Sequence, residues 1–171
     1  MSAPPETPPA SLRIDIETQQ LTLYRGADAL ASYPVSTATN GPGERMGSGC
    51  TPRGLHRIRI KIGAGAVENT VFVARRPTGE IYSPALAGRE PGRDWILTRI
   101  LWLSGEQPGF NRGGERDTLR RFIYIHGSPK SEPMGVPRSH GCIRMRNRDL
   151  IELFDQVERG SEVLITERKN W

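Results

Sequence analysis

Apolar and polar residues alternate in short runs along most of the chain, and this pattern limits its fold more than any other feature. The first run places Leu12, Ile14 and Ile16 on one side of a strand. Glycine supplies 19 and proline 14 of the 171 residues, so turns end most runs early. The pattern therefore predicts a mostly β domain whose antiparallel strands form a sandwich or a barrel-like sheet. We predict strands at 12–16, 21–23, 29–36, 57–62, 69–74, 95–103, 118–125 and 163–166, with long loops at 39–54, 75–95 and 104–114.

One segment shows helical periodicity instead. Leu150 and Phe154 fall on the same face of a helix, which predicts one main helix near residues 148–159. Asn147 is placed to cap its start, and Gly160 is placed to close its end.

The length of the chain suits one domain with its own hydrophobic core. Residues 1–10 contain four prolines and no apolar run, so we expect a disordered tail there and a folded domain over 11–168. The tail lacks the basic and apolar segments of a signal peptide, and no run approaches the ~18 apolar residues of a membrane helix. We expect a cytoplasmic protein without a membrane partner, or a periplasmic one if a leader has been trimmed.

Composition narrows the possible partners. The net charge of +5 comes mostly from arginine, but aromatic residues make up only 6% of the chain. A nucleic-acid surface that stacks bases needs more aromatic side chains, so we expect no nucleic-acid partner. The two cysteines, Cys50 and Cys142, are too few for a disulfide framework and are treated as separate thiols.

A thiol and an imidazole are the candidate reactive groups. His126 ends an apolar run, and Cys142 follows a loop rich in proline and glycine. Such a loop can return the chain so that the two side chains meet. The nearby Arg138 and Arg144 favour a thiolate, and the amides around Gly141 are candidates for binding an oxyanion.

The residues alone leave two other interpretations open. His126, His140 and Cys142 are possible zinc ligands, with Cys50 or His56 as a fourth, although the His-x-Cys spacing is unlike that of a zinc finger. A β domain that binds a ligand such as nucleic acid without catalysing a reaction is the third interpretation.

Residues 139–145, Ser-His-Gly-Cys-Ile-Arg-Met, resemble the catalytic signature of the YkuD-type L,D-transpeptidases. An upstream His-Gly pair at 126–127 and an Asn-x-Asp at 147–149 fit the same family. The segment Thr-Pro-Arg-Gly at 51–54 resembles another of its elements, so the likeness covers about 12–166.

The resemblance implies a role for each matched residue. Cys142 would be the nucleophile, and His126 would be the base and acid, its ring held by a nearby carbonyl such as that of Gly127. His140 would support the site. The amides of Gly141 and Cys142 would stabilise the tetrahedral oxyanion.

Three further residues take positions in or beside the signature. Arg144 would bind a substrate carboxylate through its planar fork, and Arg138 is a second candidate for substrate contact. Ser139 would orient the signature through a hydrogen bond. His56 is expected to be packed in the fold, and Cys50 to be incidental.

The implied substrate is a murein tetrapeptide or muropeptide. Cys142 would attack the carbonyl that joins the L-centre of the diamino acid to the terminal D-Ala. Hydrolysis of the resulting thioester would make the chain an L,D-carboxypeptidase of peptidoglycan recycling. An amine acceptor would instead give 3–3 cross-links or D-amino-acid exchange, the transpeptidase alternative. Neither a metal nor an organic cofactor is implied, and a carbapenem adduct at Cys142 is expected.

Overall fold

A computed structural model describes residues 2–4 and 6–167. Met1 and Pro5 of the predicted tail, and residue 168 at the end of the predicted domain, lie outside the described residues. The strands are β1 (Ala10–Asp15), β2 (Gln20–Arg25), β3 (Asp28–Ser36), β4 (Gly54–Ile62), β5 (Thr70–Val73), β6 (Arg76–Ile81), β7 (Ile96–Gly105), β8 (Tyr124–Ser128), β9 (Ile143–Arg146) and β10 (Glu162–Thr166). The helices are α1 (Pro84–Arg89) and α2 (Asn147–Gln156). Neither helix has the length and hydropathy to cross a lipid bilayer, as judged over the described residues.

The strands form one sheet that closes on itself. Their order is β4-β10-β1-β2-β3-β9-β8-β7, and β4 also pairs with β7, which completes a barrel. The β5–β6 hairpin extends from the start of β7, where Val71 pairs with Leu97. The predicted mostly β, barrel-like architecture is confirmed. Most pairs are antiparallel as expected, but β1 with β10 and β8 with β9 are parallel.

Alternation along the strands fills the barrel interior as the sequence pattern predicts. Leu12 and Ile14 of β1 and Leu21 of β2 are almost completely buried. Helix α2 packs against β7, β8 and β9, and it adds Leu150 and Phe154 to the same core. The parallel strands β8 and β9 are thus held in place by their contacts with α2.

The segment predicted as a loop at 75–95 holds more structure than expected. It contains β6 and helix α1. Ser83 caps α1 by accepting a hydrogen bond from the Leu86 amide at 3.1 Å, and Pro84 starts the helix. A helix of one and a half turns is too short to show helical periodicity, so the composition of this segment predicted a loop.

The predicted strand at 118–125 was wrong over most of its length. Regular structure begins only at Tyr124, because residues 117–122 form hydrogen-bonded turns in which the Arg121 amide donates to the Asp117 carbonyl. At the other end of the chain, β1 already begins at Ala10, inside the predicted tail.

Both predicted caps of the main helix were wrong. Asn147 is the first helical residue, and its side-chain amide donates to Asn69 Oδ1 at 2.9 Å. The helix ends at Gln156, before Gly160. Lys61 Nζ of β4 satisfies carbonyls at this end, Phe154 O at 2.6 Å and Val157 O at 2.7 Å. This cap comes from a distant strand, so no local pattern announced it.

Candidate active site

The parallel pairing of β8 with β9 assembles the site. His126 lies opposite Arg144, and Ile125 lies opposite Ile143. Because side chains alternate along a strand, Tyr124 and His126 share a face with Arg144. Cys142 immediately precedes β9 and continues that face beside Tyr124. The structure thus brings the two predicted reactive side chains to the same side of neighbouring strands.

The Cys142 thiol is held by backbone atoms. Its Sγ accepts a hydrogen bond from the Tyr124 amide at 3.3 Å and donates to the Phe122 carbonyl at 3.4 Å. Burial raises the pKa of the thiol to about 12, and the Tyr124 amide and the charge of Arg144 lower it by less. This direction is opposite to the expected thiolate, because desolvation outweighs the nearby arginines. A pKa of about 12 favours the neutral thiol near pH 7.

The His126 ring is buried and has a defined orientation. Nδ1 lies 2.7 Å from the carbonyl oxygen of Gly127, and a carbonyl only accepts, so Nδ1 carries a proton and donates it. This is the carbonyl that the resemblance implied. Burial lowers the pKa of the imidazole, which keeps the ring neutral near pH 7. A neutral ring with a proton on Nδ1 has an unprotonated Nε2, the form a general base needs.

Ser139 organises the turn that leads to Cys142. Its buried hydroxyl donates to the Cys142 carbonyl at 2.5 Å and accepts from the Gly141 amide at 3.2 Å. The predicted orienting role of Ser139 matches this geometry. The predicted use of the Gly141 amide for an oxyanion does not, because that N–H is already donated within the turn.

Gly141 is held in place from outside the signature. It adopts φ +135°, a conformation that other residues rarely take. The Thr51 hydroxyl donates to its carbonyl at 2.9 Å and accepts from the Ala38 amide at 3.0 Å. The Thr-Pro element that the sequence analysis noted thus packs directly against the turn before Cys142.

Arg144 is occupied by protein groups. Its guanidinium donates to Asp94 Oδ1 at 3.3 Å, to Glu132 Oε2 at 3.4 Å and to the Arg138 carbonyl at 3.2 Å. The side chain is 10% exposed, so these contacts use most of its fork. The expectation that Arg144 binds a substrate carboxylate does not fit this geometry. Arg144 instead ties the strand beside Cys142 to two loops.

His140 and Arg138 are the exposed predicted residues. Both line a cleft of about 480 Å³ together with Asp94, Trp95 and Arg144, the residue that lies opposite His126. His140 forms no hydrogen bond with Cys142 or His126. Its position in the cleft fits a supporting role.

Sequence reasoning missed Arg121. Its half-buried guanidinium donates to the Cys50 carbonyl at 2.6 Å and to the Gly43 carbonyl at 3.1 Å. The Cys50 carbonyl packs against Gly141, where an added Cβ would approach it to 3.2 Å. Arg121 therefore clamps the loop behind the Gly141 turn. The local sequence shows only a pair of arginines at 120–121, and such pairs are common on protein surfaces, so nothing nearby pointed to this role.

The proposed zinc ligands are not gathered. Among residues 2–4 and 6–167, no three His, Cys, Asp or Glu side chains come close enough to hold a metal ion. His56 is buried elsewhere, between the Gly54 carbonyl and the Thr118 hydroxyl, each 3.0 Å from a ring nitrogen. Burial lowers its pKa to about 4. His56 is a packed residue, as expected.

Comparison with known families decides the relationship. The sequence profile of the YkuD family, described as the L,D-transpeptidase catalytic domain, matches residues 9–165. The chain belongs to this family. Among curated relatives, the putative L,D-transpeptidase YqjB of Bacillus subtilis is 41% identical over 59 residues, which are 34% of this chain. That match covers 32% of YqjB, so the chain spans about a third of this relative.

Solved structures of the family share the fold. An L,D-transpeptidase from Mycobacterium smegmatis aligns with 92% of this chain and 58% of its own, with TM-score 0.57 and 18% identity. The LD transpeptidase LdtMt1 in complex with imipenem aligns with 92% of this chain and 58% of its own, with TM-score 0.53 and 17% identity. At these identities the likeness concerns the barrel architecture.

Proposed function

We propose that this chain is a cysteine acyltransferase that removes the terminal D-Ala from murein tetrapeptides. The observation that carries the proposal is the placement of the Cys142 thiol and the His126 imidazole on one face of two parallel strands, with Nδ1 of the ring bonded to the Gly127 carbonyl. Such a pair needs no preformed thiolate, because the base takes the proton as the thiol attacks.

The proposed first half-reaction forms a thioester. Cys142 Sγ bonds to the carbonyl carbon of the L,D peptide bond, and its proton passes to His126 Nε2. The carbon–nitrogen bond then breaks, and the same proton moves to the departing amine of D-Ala. Because the Gly141 amide is used within the turn, we assign the developing oxyanion to the backbone N–H of Cys142.

The second half-reaction determines the product. Water attacks the thioester carbon, His126 takes its proton, and the carbon–sulfur bond breaks to release a tripeptide and the thiol. This hydrolysis is the L,D-carboxypeptidase activity that we propose, in the recycling of muropeptides. An amine in place of water gives a transpeptidase, the activity named in the description of the family.

A carbapenem adduct at Cys142 is part of the same proposal. The comparison structure of LdtMt1 is described in complex with imipenem, a β-lactam whose carbonyl is open to attack by a nucleophile. The same thiol and base would open the lactam ring here and retain the acyl group.

Mass spectrometry of a murein tetrapeptide incubated with the protein tests the function. The proposal predicts loss of the terminal D-Ala to water, even when a free D-amino acid is present. Cys142→Ala abolishes the reaction, and Cys50→Ala retains it as the matched control. Exchange products would show the transpeptidase instead, and no reaction in either arm would refute the acyltransferase.

A further inference from the structure

The β5–β6 hairpin turns through two residues that are both in the left-handed region. Val73 pairs with Arg76, and the turn between them has Ala74 at φ 48° and Arg75 at φ 64°. Two-residue turns of this type favour Asn-Gly, because other side chains meet steric strain there. An Ala-Arg turn persists where other contacts hold it, and the Arg75 side chain makes such contacts.

Arg75 lies on an aromatic cluster. Its guanidinium carbon is 4.8 Å from the ring centre of Trp102 and 4.9 Å from that of Phe122, and Nη1 donates to the Tyr124 hydroxyl at 3.1 Å. Within the described residues it forms no ion pair with a carboxylate. A guanidinium has donors around its whole edge, so one hydrogen bond leaves a fork available.

The same aromatic segment holds the reactive thiol. The Phe122 carbonyl and the Tyr124 amide contact Cys142 Sγ at 3.4 Å and 3.3 Å. Arg75 contacts the side chains of these two residues, and Cys142 contacts their backbones. Phe122 is also strained, with φ 56°, and its side chain is half exposed. Arg75 and Cys142 are therefore linked through two shared residues, Phe122 and Tyr124.

We propose that Arg75 is a substrate-binding residue that captures the free α-carboxylate next to the bond cleaved at Cys142. This inference rests on the proposed function. Of the two arginines proposed from the sequence, Arg144 has its fork occupied by Asp94 and Glu132, and Arg138 lies in the cleft beside Asp94 and His140. A planar fork over aromatic rings recognises a carboxylate in two parallel hydrogen bonds, and stacking keeps the fork oriented. The preferred substrate is therefore a peptide that ends immediately after the scissile bond.

Alkylation of Cys142 tests the inference without a peptide substrate. Iodoacetate carries a carboxylate, and iodoacetamide is its neutral counterpart. In a Cys50→Ser background, we compare the alkylation rate with iodoacetate divided by the rate with iodoacetamide. This ratio should fall about tenfold in Arg75→Gln, and Arg75→Lys should restore part of it. Arg76→Gln removes the adjacent exposed arginine of the same hairpin and should change the ratio by less than about twofold. Equal ratios in Arg75→Gln and the parent would overturn the proposal.

Substrate pairs give the second readout. For the tetrapeptide with a free carboxylate, Arg75→Gln should raise KM about tenfold, and kcat should change by less than about threefold. For the corresponding C-terminal amide, the parent and Arg75→Gln should react equally. Equal losses on both peptides would mean that Arg75 only packs the cluster. If neither peptide reacts with the parent while the alkylation ratio still depends on Arg75, the carboxylate site stands and the peptidase function fails.

Discussion

The pH dependence of alkylation reports directly on the state of the Cys142 thiol. Burial raises its pKa to about 12, against about 8.5 for a free cysteine. At pH 8 the thiolate is then roughly one part in ten thousand, against roughly a quarter for an exposed cysteine. Because the thiolate is the reacting form, iodoacetamide should label Cys142 about a thousandfold more slowly than a free cysteine.

A Cys50→Ser variant makes the measurement specific, since Cys142 is then the sole cysteine in the sequence. Labelling followed by intact mass between pH 7 and pH 10 should rise about tenfold for each pH unit, without a plateau. His126→Gln should keep this slope, because a small alkylating reagent reacts with the thiolate and needs no base. A plateau below pH 8 that disappears in His126→Gln would reveal a thiolate–imidazolium pair and refute the reasoning.

Three other perturbations test the surrounding structure. Burial lowers the pKa of His56 from 6.5 to about 4, so between these pH values the unfolded chain binds more protons than the folded one. The free energy of unfolding should therefore fall by about 3 kcal/mol as the pH drops through this range. Urea titrations should show the gap between the parent and His56→Gln narrowing from pH 7 to pH 4.5. Gly127→Ala would push a methyl group into the Asn147 amide, so it should lose about 1–3 kcal/mol in the same assay, while Gly88→Ala, which has open space, should not. Ser139→Ala removes both hydrogen bonds of the turn before the thiol, so kcat should fall about tenfold or more with unchanged circular dichroism.

The sequence singled out His126 and Cys142 as a pair because each lies in a continuous segment with its own pattern. His126 lies in the middle of the buried strand β8, and Cys142 immediately precedes β9, so a single parallel pairing brings them to the same face. The buried alternation also predicted the barrel, since each strand shows its inner face in its own residues. The sequence did not predict which strand pairs are parallel, because side chains alternate with a period of two in parallel and antiparallel pairs alike.

Other features depend on contacts between distant segments. Arg144 is close to Cys142 in sequence, but its guanidinium pairs with the carboxylate of Asp94, which is 50 residues away. The raised pKa of the thiol comes from burial, which no short window of sequence reports. Lys61 of β4 binds a carbonyl at the end of α2, and Arg75 binds the Tyr124 hydroxyl from a segment that composition predicted as loop.

Intact mass spectrometry after exposure to a carbapenem tests most directly whether Cys142 accepts an acyl group. The account predicts one covalent adduct per chain, mapped by peptide analysis to Cys142, lost in Cys142→Ser and retained in Cys50→Ser. It also predicts slower adduct formation in His126→Gln, because attack on the lactam carbonyl needs the base. An adduct that maps to Cys50, or one that forms equally fast in Cys142→Ser, would contradict the central claim.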